Sequence, residues 1–158
     1  MNCHIAPTSP PQRGDAVLRV GDAESPLAEC VVWWNPGLEL EGDKLGLIGR
    51  YRAESDGAAR ALLDEARGLL TGHGCARAVG PMDGDTWYAY RFVTDPGDGD
   101  RFLMEPWNPP DWPRQFTENG FDELARYFSA VNDDLSRKDD RLDRVRGRMD
   151  ARGVVVRA

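Results

Sequence analysis

The chain has 158 residues, enough for one domain with a substantial core, and its 41% hydrophobic and 30% charged residues fit a globular protein. A formal net charge of −7 argues against a general nucleic-acid or anionic-membrane binder, which needs a basic face. No apolar run approaches the roughly 18 residues of a membrane span, and the opening MNCHIAPTSPPQRGD lacks the basic-then-apolar order of a secretory signal, so a cytoplasmic location is expected.

Residues 1–15, rich in Pro and polar side chains, read as a disordered tail. AVLRVG at 16–21 reads as a short strand. AECVVWW at 28–34 reads as a second, closed by the turn NPG at 35–37. KLGLIGRYRA at 44–53 is the third. Alternation puts Leu45, Leu47, Gly49 and Tyr51 on one face, with Gly46, Ile48, Arg50 and Arg52 on the other. The arginine-bearing face must reach solvent or an anionic partner. Residues 57–72 form the clearest helix: Ala59, Leu62, Leu63, Ala66, Leu69 and Leu70 make one apolar stripe. Ser55 or Asp56 can cap its start, and Gly72 or Gly74 can end it.

CARAVG at 75–80 reads as a buried strand, which completes a β-α-β crossover with parallel strands. Residues 82–93 read as a short helix, or as a loop followed by a strand. DPGDGD at 95–100 is an exposed turn, and RFLMEPW at 101–107 a strand. Residues 108–120 open on prolines suited to a helix start and close at Gly120. FDELARYFSAV at 121–131 reads as the last strand, with a helix as its rival. The fold class expected is therefore α+β: a mixed, mostly antiparallel sheet with one crossover and flanking helices, spanning 16–131.

Residues 132–158 differ in texture. A highly charged helix over 132–152 carries only a thin apolar seam of Leu135, Leu142, Val145 and Met149, and GVVVRA then reads as a strand. A β-branched terminal strand needs a partner in its own sheet or another chain, so this arm is expected to build a homodimer. Cys3, Cys30 and Cys75 form no CxxC pair and read as free thiols. His4 and His73 lie far apart, and no metal site is expected.

The order strand-strand-strand-helix-strand, then helix and strand, resembles the GNAT superfamily of acyl-CoA-dependent N-acyltransferases from its second strand onward. GPMDGDTWYAYRFV (80–93) and FLMEPWNPPDWPRQFTENGF (102–121) are similar to a subset of GNAT-like bacterial proteins. Those carry a Gly-Pro-φ-Asn/Asp-Gly-x-Thr-Trp stretch, then Pro-Tyr-Asn-Pro-Pro before a helix ending in Gly-Phe. Trp107 stands where that group usually has Tyr. The resemblance covers residues 28–131. The opening strand and first two helices of a full GNAT domain find no counterpart.

The resemblance implies acetyl-CoA or another acyl-CoA as cofactor and a small-molecule amine as acceptor. GNAT enzymes hold the cofactor pyrophosphate on a Gln/Arg-x-x-Gly-x-Gly/Ala turn, where orphan N–H groups and the helix dipole favour an anion. Here that turn is Glu54-Ser55-Asp56-Gly57-Ala58-Ala59. Glu54 replaces the Gln or Arg, and Asp56 adds a second anion. Each carboxylate opposes a pyrophosphate by roughly 1 kcal/mol in exposed surroundings, an effect Arg52 and Arg60 can offset. The cofactor set implied is Ile48, Arg50, Arg52, Ser55, Asp56, Gly57, Ala58, Ala59, Arg60 and Asn108. Plain helix–strand packing is the other reading of the turn.

Acyl transfer to an amine also needs a base for the amine proton and an acid for the leaving thiolate. Glu54 and Glu105 are the candidate bases. Family members often place the acid as a Tyr in the helix before Gly-Phe; this chain has Phe116 there, so Tyr88 or Tyr90 must serve. Trp33, Trp34, Trp87, Trp107 and Trp112 either line an acceptor pocket or pack the core. Two functions are therefore in play: an N-acyltransferase, or a non-catalytic GNAT-fold module for CoA or protein binding that forms a homodimer.

Overall fold

The structure, a computed structural model, describes residues 2–7, 14–98, 101, 105–130, 134, 136 and 139–154. Its strands are β1 (Cys3–Pro7), β2 (Ala16–Gly21), β3 (Pro26–Trp33), β4 (Glu39–Leu40), β5 (Asp43–Ala53) and β6 (Arg77–Val79); its helices are α1 (Asp56–Gly72), α2 (Asp111–Glu118) and α3 (Asp140–Asp150). The chain divides into two compact units, Met1–Ala125 and Arg126–Ala158.

In the first unit β1, β2, β3 and β5 pair antiparallel in that order. β4 folds back on β5 through Glu41 and Gly42, both left-handed at φ 56° and 88°, the geometry a two-residue hairpin demands. β6 pairs β5 in parallel, Leu45–Leu47 against Arg77–Val79, as a crossover through α1 requires. The architecture is thus α+β with a mostly antiparallel open sheet.

α1 lies on one sheet face. Leu18, Val20, Ala28, Cys30, Val32 and Ile48 bury against Ala58, Ala59, Leu62, Leu63, Ala66 and Leu70. Two alanines at the start of the helix, both fully buried, let its backbone come close to the sheet. Gly46 does the same near its end, where a Cβ would stand 2.7 Å from Leu70 Cδ2. Gly74, at φ 78°, ends the helix: Gly74 N–H reaches the Thr71 carbonyl and Cys75 N–H the Leu70 carbonyl. A smaller apolar cluster of Val31, Trp33 and Leu47 covers the opposite face.

The alternation read along 44–53 fails at one residue. Arg50 is left-handed, φ 48°, and the β3 register skips from Glu29 to Val31 beside it. The bulge turns Tyr51 back to the α1 face with Ile48, while Leu47 lies on the other. Arg50 is exposed. Arg52 folds sideways along β3, with Nη1 3.2 Å from the Pro26 carbonyl and Nε 3.7 Å from Glu29.

Other expectations change too. The disordered N-terminus does not hold for Cys3–Pro7, which pair with β2, Ile5 opposite Leu18. Backbone N–H and C=O groups on the outer edge of β2 need partners, and this segment supplies them. A strand therefore precedes β2, where the residues alone indicated none. Residues 82–93 form neither helix nor strand. The strand read over 101–107 falls partly outside the described residues, and 105–107 carry no strand. Residues 121–130 are also irregular, with Leu124, Tyr127 and Phe128 exposed. Mixed propensity gave that segment no preference, and only Phe121, at its start, packs against the core. Of the charged helix read over 132–152, Asp140–Asp150 is helical as α3 and Asp134 and Ser136 are not, while residues 132, 133, 135, 137 and 138, and 155–158 of the terminal strand, lie outside the described residues. Among the described residues no helix is long and apolar enough to cross a membrane.

Candidate functional site

The junction of β5 and α1 carries part of the set that the resemblance singles out: Arg52, Glu54, Ser55, Asp56, Gly57, Ala58, Ala59 and Arg60. Ser55 is extended, φ −153° and ψ 155°, so its Oγ accepts the Ala58 N–H at 3.3 Å while its carbonyl accepts that of Ala59 at 2.9 Å. Of the orphan donors of the first turn, those of Asp56 and Gly57 remain. Glu54, Ser55, Asp56, Gly57 and Arg60 are all exposed, whereas Ala58 and Ala59 are buried as packing residues.

Asp56 does not stand as a bare anion. Arg114 of α2 reaches it at 2.9 Å, and Gln115 Nε2 donates to it at 3.2 Å. These hydrogen bonds, Arg114 first, hold its carboxyl below the usual carboxylate range. Arg114 also pairs with Glu118 at 2.7 Å and Asp111 at 3.4 Å. The bonds to Asp56 and then Glu118 push its guanidinium pKa further up. Exposed pairs of this kind contribute little stability singly, and of the three only Arg114–Asp56 links α2 to α1, the other two lying within α2.

Behind the ion pair lies a buried polar link. Gln115 is 3% exposed, and its Oε1 accepts the Tyr51 hydroxyl at 2.9 Å. Burial above all, then Cys30 and Asp56, raises the Tyr51 phenol well above its ordinary range, so it stays protonated. Its ring meets Trp112 and Phe116 edge-on at 5.4 and 4.9 Å, and Phe116 packs on Phe92 and Phe121. Tyr51, Gln115, Asp56 and Arg114 thus form one line from the core to solvent. The sequence pointed to none of this line except Asp56, because its members come from three elements, β5, α1 and α2, with no spacing to connect Tyr51 or Asp56 to the adjacent pair Arg114 and Gln115.

The far side of β5 is occupied by the protein's own chain. After β6 ends at Val79, Met82 N–H donates to the Ile48 carbonyl at 2.9 Å, and Asp83 Oδ1 accepts the Arg50 N–H at 2.6 Å. Ile48 itself is fully buried.

The remaining predicted residues have other work. The Asn108 amide clamps both backbone groups of Val93, accepting its N–H at 2.8 Å and donating to its carbonyl at 3.1 Å. It joins two irregular segments, which accounts for its place before the proline pair without a ligand. The Tyr90 hydroxyl accepts from Arg91 at 2.6 Å. Tyr88 is 68% exposed, and Glu105 is half-buried in a separate segment. The tryptophans do not share a pocket. Trp33 is buried opposite α1, Trp34 stacks on His73, Trp112 joins the aromatic cluster, and Trp87 and Trp107 are exposed. A cavity of about 300 Å³ is lined by Asn35, Gly37, Leu38, Glu39 and Lys44, none of them a predicted site residue.

No protein-family model, curated protein or solved structure matches the chain. What the β5–α1 junction offers is a small-residue helix start with two backbone donors and nearby guanidinium groups, Arg60 on α1 and Arg114 on α2. What it does not offer is an enclosed acid–base pair.

Proposed function

We propose that the chain is a GNAT-like, acyl-CoA-dependent N-acyltransferase acting on an amine. The observation that carries the reading is the β5–α1–β6 unit: a strand broken by a left-handed residue, a Ser-capped helix that starts on Asp, Gly and two Ala, and a parallel return strand. A pyrophosphate suits the helix start in its donors, Asp56 N–H and Gly57 N–H, and in Arg60. The Asp56 charge that would oppose it is taken up by Arg114. Acyl-CoA would supply the acyl group as a thioester. Glu54, exposed at the strand end, is the carboxylate available to take the amine proton. The β5 edge beyond Ile48 does not suit an extended ligand in this state, because Met82 and Asp83 bond to it.

Calorimetric titration with acetyl-CoA, a longer acyl-CoA and free CoA tests this. Micromolar binding is expected, lost in Gly57→Glu, which puts a third carboxylate at the exposed helix start. Release of free thiol in the presence of an amine panel then tests transfer. Absence of binding by all three ligands removes the reading.

A second reading has its own support. The occupied β5 edge and the separate placement of Glu54, Tyr88, Tyr90 and Glu105 favour a non-catalytic module. Helix α3 spans only 11 residues and exposes Leu142 at 63%, a length that is marginal for an isolated helix in water. Burial against a second copy would supply what it lacks, so residues 132–158 are the homodimer arm in this reading. Light scattering at micromolar concentration is expected to give the mass of two chains, and deletion of 132–158 the mass of one. A full-length chain of single mass removes the dimer.

A further inference from the structure

We propose that helix α3 of one copy docks on residues 83–98 of a second copy, with its arginines against carboxylates and its apolar seam against Trp87 and Tyr88. The inference rests on the homodimer reading of 132–158 and names the surface that receives the arm.

Charge is divided unevenly along the chain. Residues 126–158 carry nine Lys or Arg against six Asp, whereas residues 1–125 carry eleven against twenty-one Asp or Glu. A basic arm tethered to an acidic body suits a second acidic body. A nucleic acid or an anionic membrane would have to hold the first body beside its own like charge.

Within α3 the apolar side chains fall on one side. At about 100° per residue, Leu142, Val145 and Met149 lie within about 60° of one another. The positions next to this seam are arginine, Arg141 and Arg148 along one flank and Arg146 along the other, with Asp143 and Asp150 further round. Leu142 and Val145 are exposed. Arg141 pairs with Asp139 at the helix start, while Arg146 and Arg148 have no ion-pair partner among the described residues. Pairing the seam with the same seam of a second copy sets arginine against arginine along both flanks, whether the helices run parallel or antiparallel. The arm therefore needs a surface that surrounds apolar side chains with carboxylates, and another copy of α3 is not that surface.

Residues 83–98 have that composition. Asp83, Asp85, Asp95 and Asp98 stand there with one cation, Arg91, whose guanidinium lies 5.0 Å from the Tyr90 ring centre. Trp87, at 91%, is the most exposed large apolar side chain of the described residues, and Tyr88 beside it is exposed too. Both stand on a closed turn: Asp83 N–H donates to the Ala89 carbonyl at 2.8 Å, and Asp85 accepts the Trp87 N–H at 2.7 Å. Backbone held in this way loses little freedom on docking, and an arginine beside the seam can lie on the indole face. In a twofold dimer each copy gives one helix and receives one, so the contact is made twice.

Sedimentation equilibrium of the full chain tests the docking. Raising the ionic strength from about 0.01 M to about 1 M shortens the screening length from about 30 Å to about 3 Å, and the wild-type dimer is expected to weaken about tenfold or more. At low salt the double variant Arg146→Glu, Arg148→Glu is expected to weaken it about tenfold, and Trp87→Ala by a similar factor. Unchanged far-ultraviolet dichroism checks that each variant is folded; should one fail, the other and the salt series decide. A dimer that the glutamates strengthen is arm paired with arm, relieved of its facing arginines. That result, a dimer indifferent to salt, or one equally strong in Trp87→Ala overturns this docking and leaves the homodimer reading intact. A single-chain mass for the wild type at every ionic strength overturns both.

Discussion

Phe116→Ala is expected to lower the free energy of unfolding by about 3–5 kcal/mol, the range for deleting a buried aromatic side chain. Phe116 is 3% exposed and sits between Tyr51, Phe92 and Phe121, with ring centroids 4.9, 5.1 and 4.9 Å away. It also lies against Gly80, where a Cβ would stand 2.8 Å from its ring, so the cavity left by Ala opens onto α2, β5 and the Gly80 turn. Denaturant unfolding of the wild type and variant measures the difference. A loss below about 1 kcal/mol would mean that α2 docks by its ion pairs rather than by this ring. The result bears on function, because Phe116 stands where the resemblance expects the general acid. Phenylalanine has no hydroxyl to donate, and this ring is held in the core.

The second large effect concerns Gln115. Gln115→Leu is expected to cost about 2 kcal/mol, because it leaves the Tyr51 hydroxyl buried without its acceptor and removes one donor to Asp56. Leu keeps most of the volume, so the loss reports the hydrogen bonds rather than a cavity. Tyr51→Phe in the Gln115→Leu background is expected to recover part of the loss, since the stranded hydroxyl is then gone. The double-mutant cycle gives the coupling between the two side chains directly. Additive losses would show that water reaches the Tyr51 hydroxyl and that the line from core to Asp56 is not closed.

Both predictions rest on α2, the element whose role the sequence conveyed least. Its boundaries were readable: prolines before it, Gly120 after it, and the helix Asp111–Glu118 falls within 108–120. What it touches was not. Arg114 and Gln115 are adjacent polar residues on a short helix, and nothing in their spacing separates a solvent-facing pair from an ion-pair partner and a buried link. Asp83 is a similar case. It belongs to a stretch that carried the resemblance, yet its bond to the Arg50 N–H depends on a left-handed residue 33 positions earlier.

The sequence by itself determined the parts whose forces are local. Strands at β2 and β3 and the apolar stripe of α1 follow from side-chain pattern within one segment, and the helix ends were narrowed to Ser55 or Asp56 and to Gly72 or Gly74, of which the backbone uses Ser55 and Gly74. It also determined the parallel pairing of β5 with β6, since a strand–helix–strand chain of this length crosses back in that sense. Tertiary structure decided what depends on a neighbour distant in the chain. The N-terminal residues became β1 because β2 had an open edge, and Tyr51 changed face because β5 bulges against β3. Asn108 became a clamp because Val93 offered both backbone groups, and the β5 edge closed because glycine at 49 admits Met82. Each of these is a hydrogen bond or a close approach between segments with little regular structure of their own, and no local pattern encodes it.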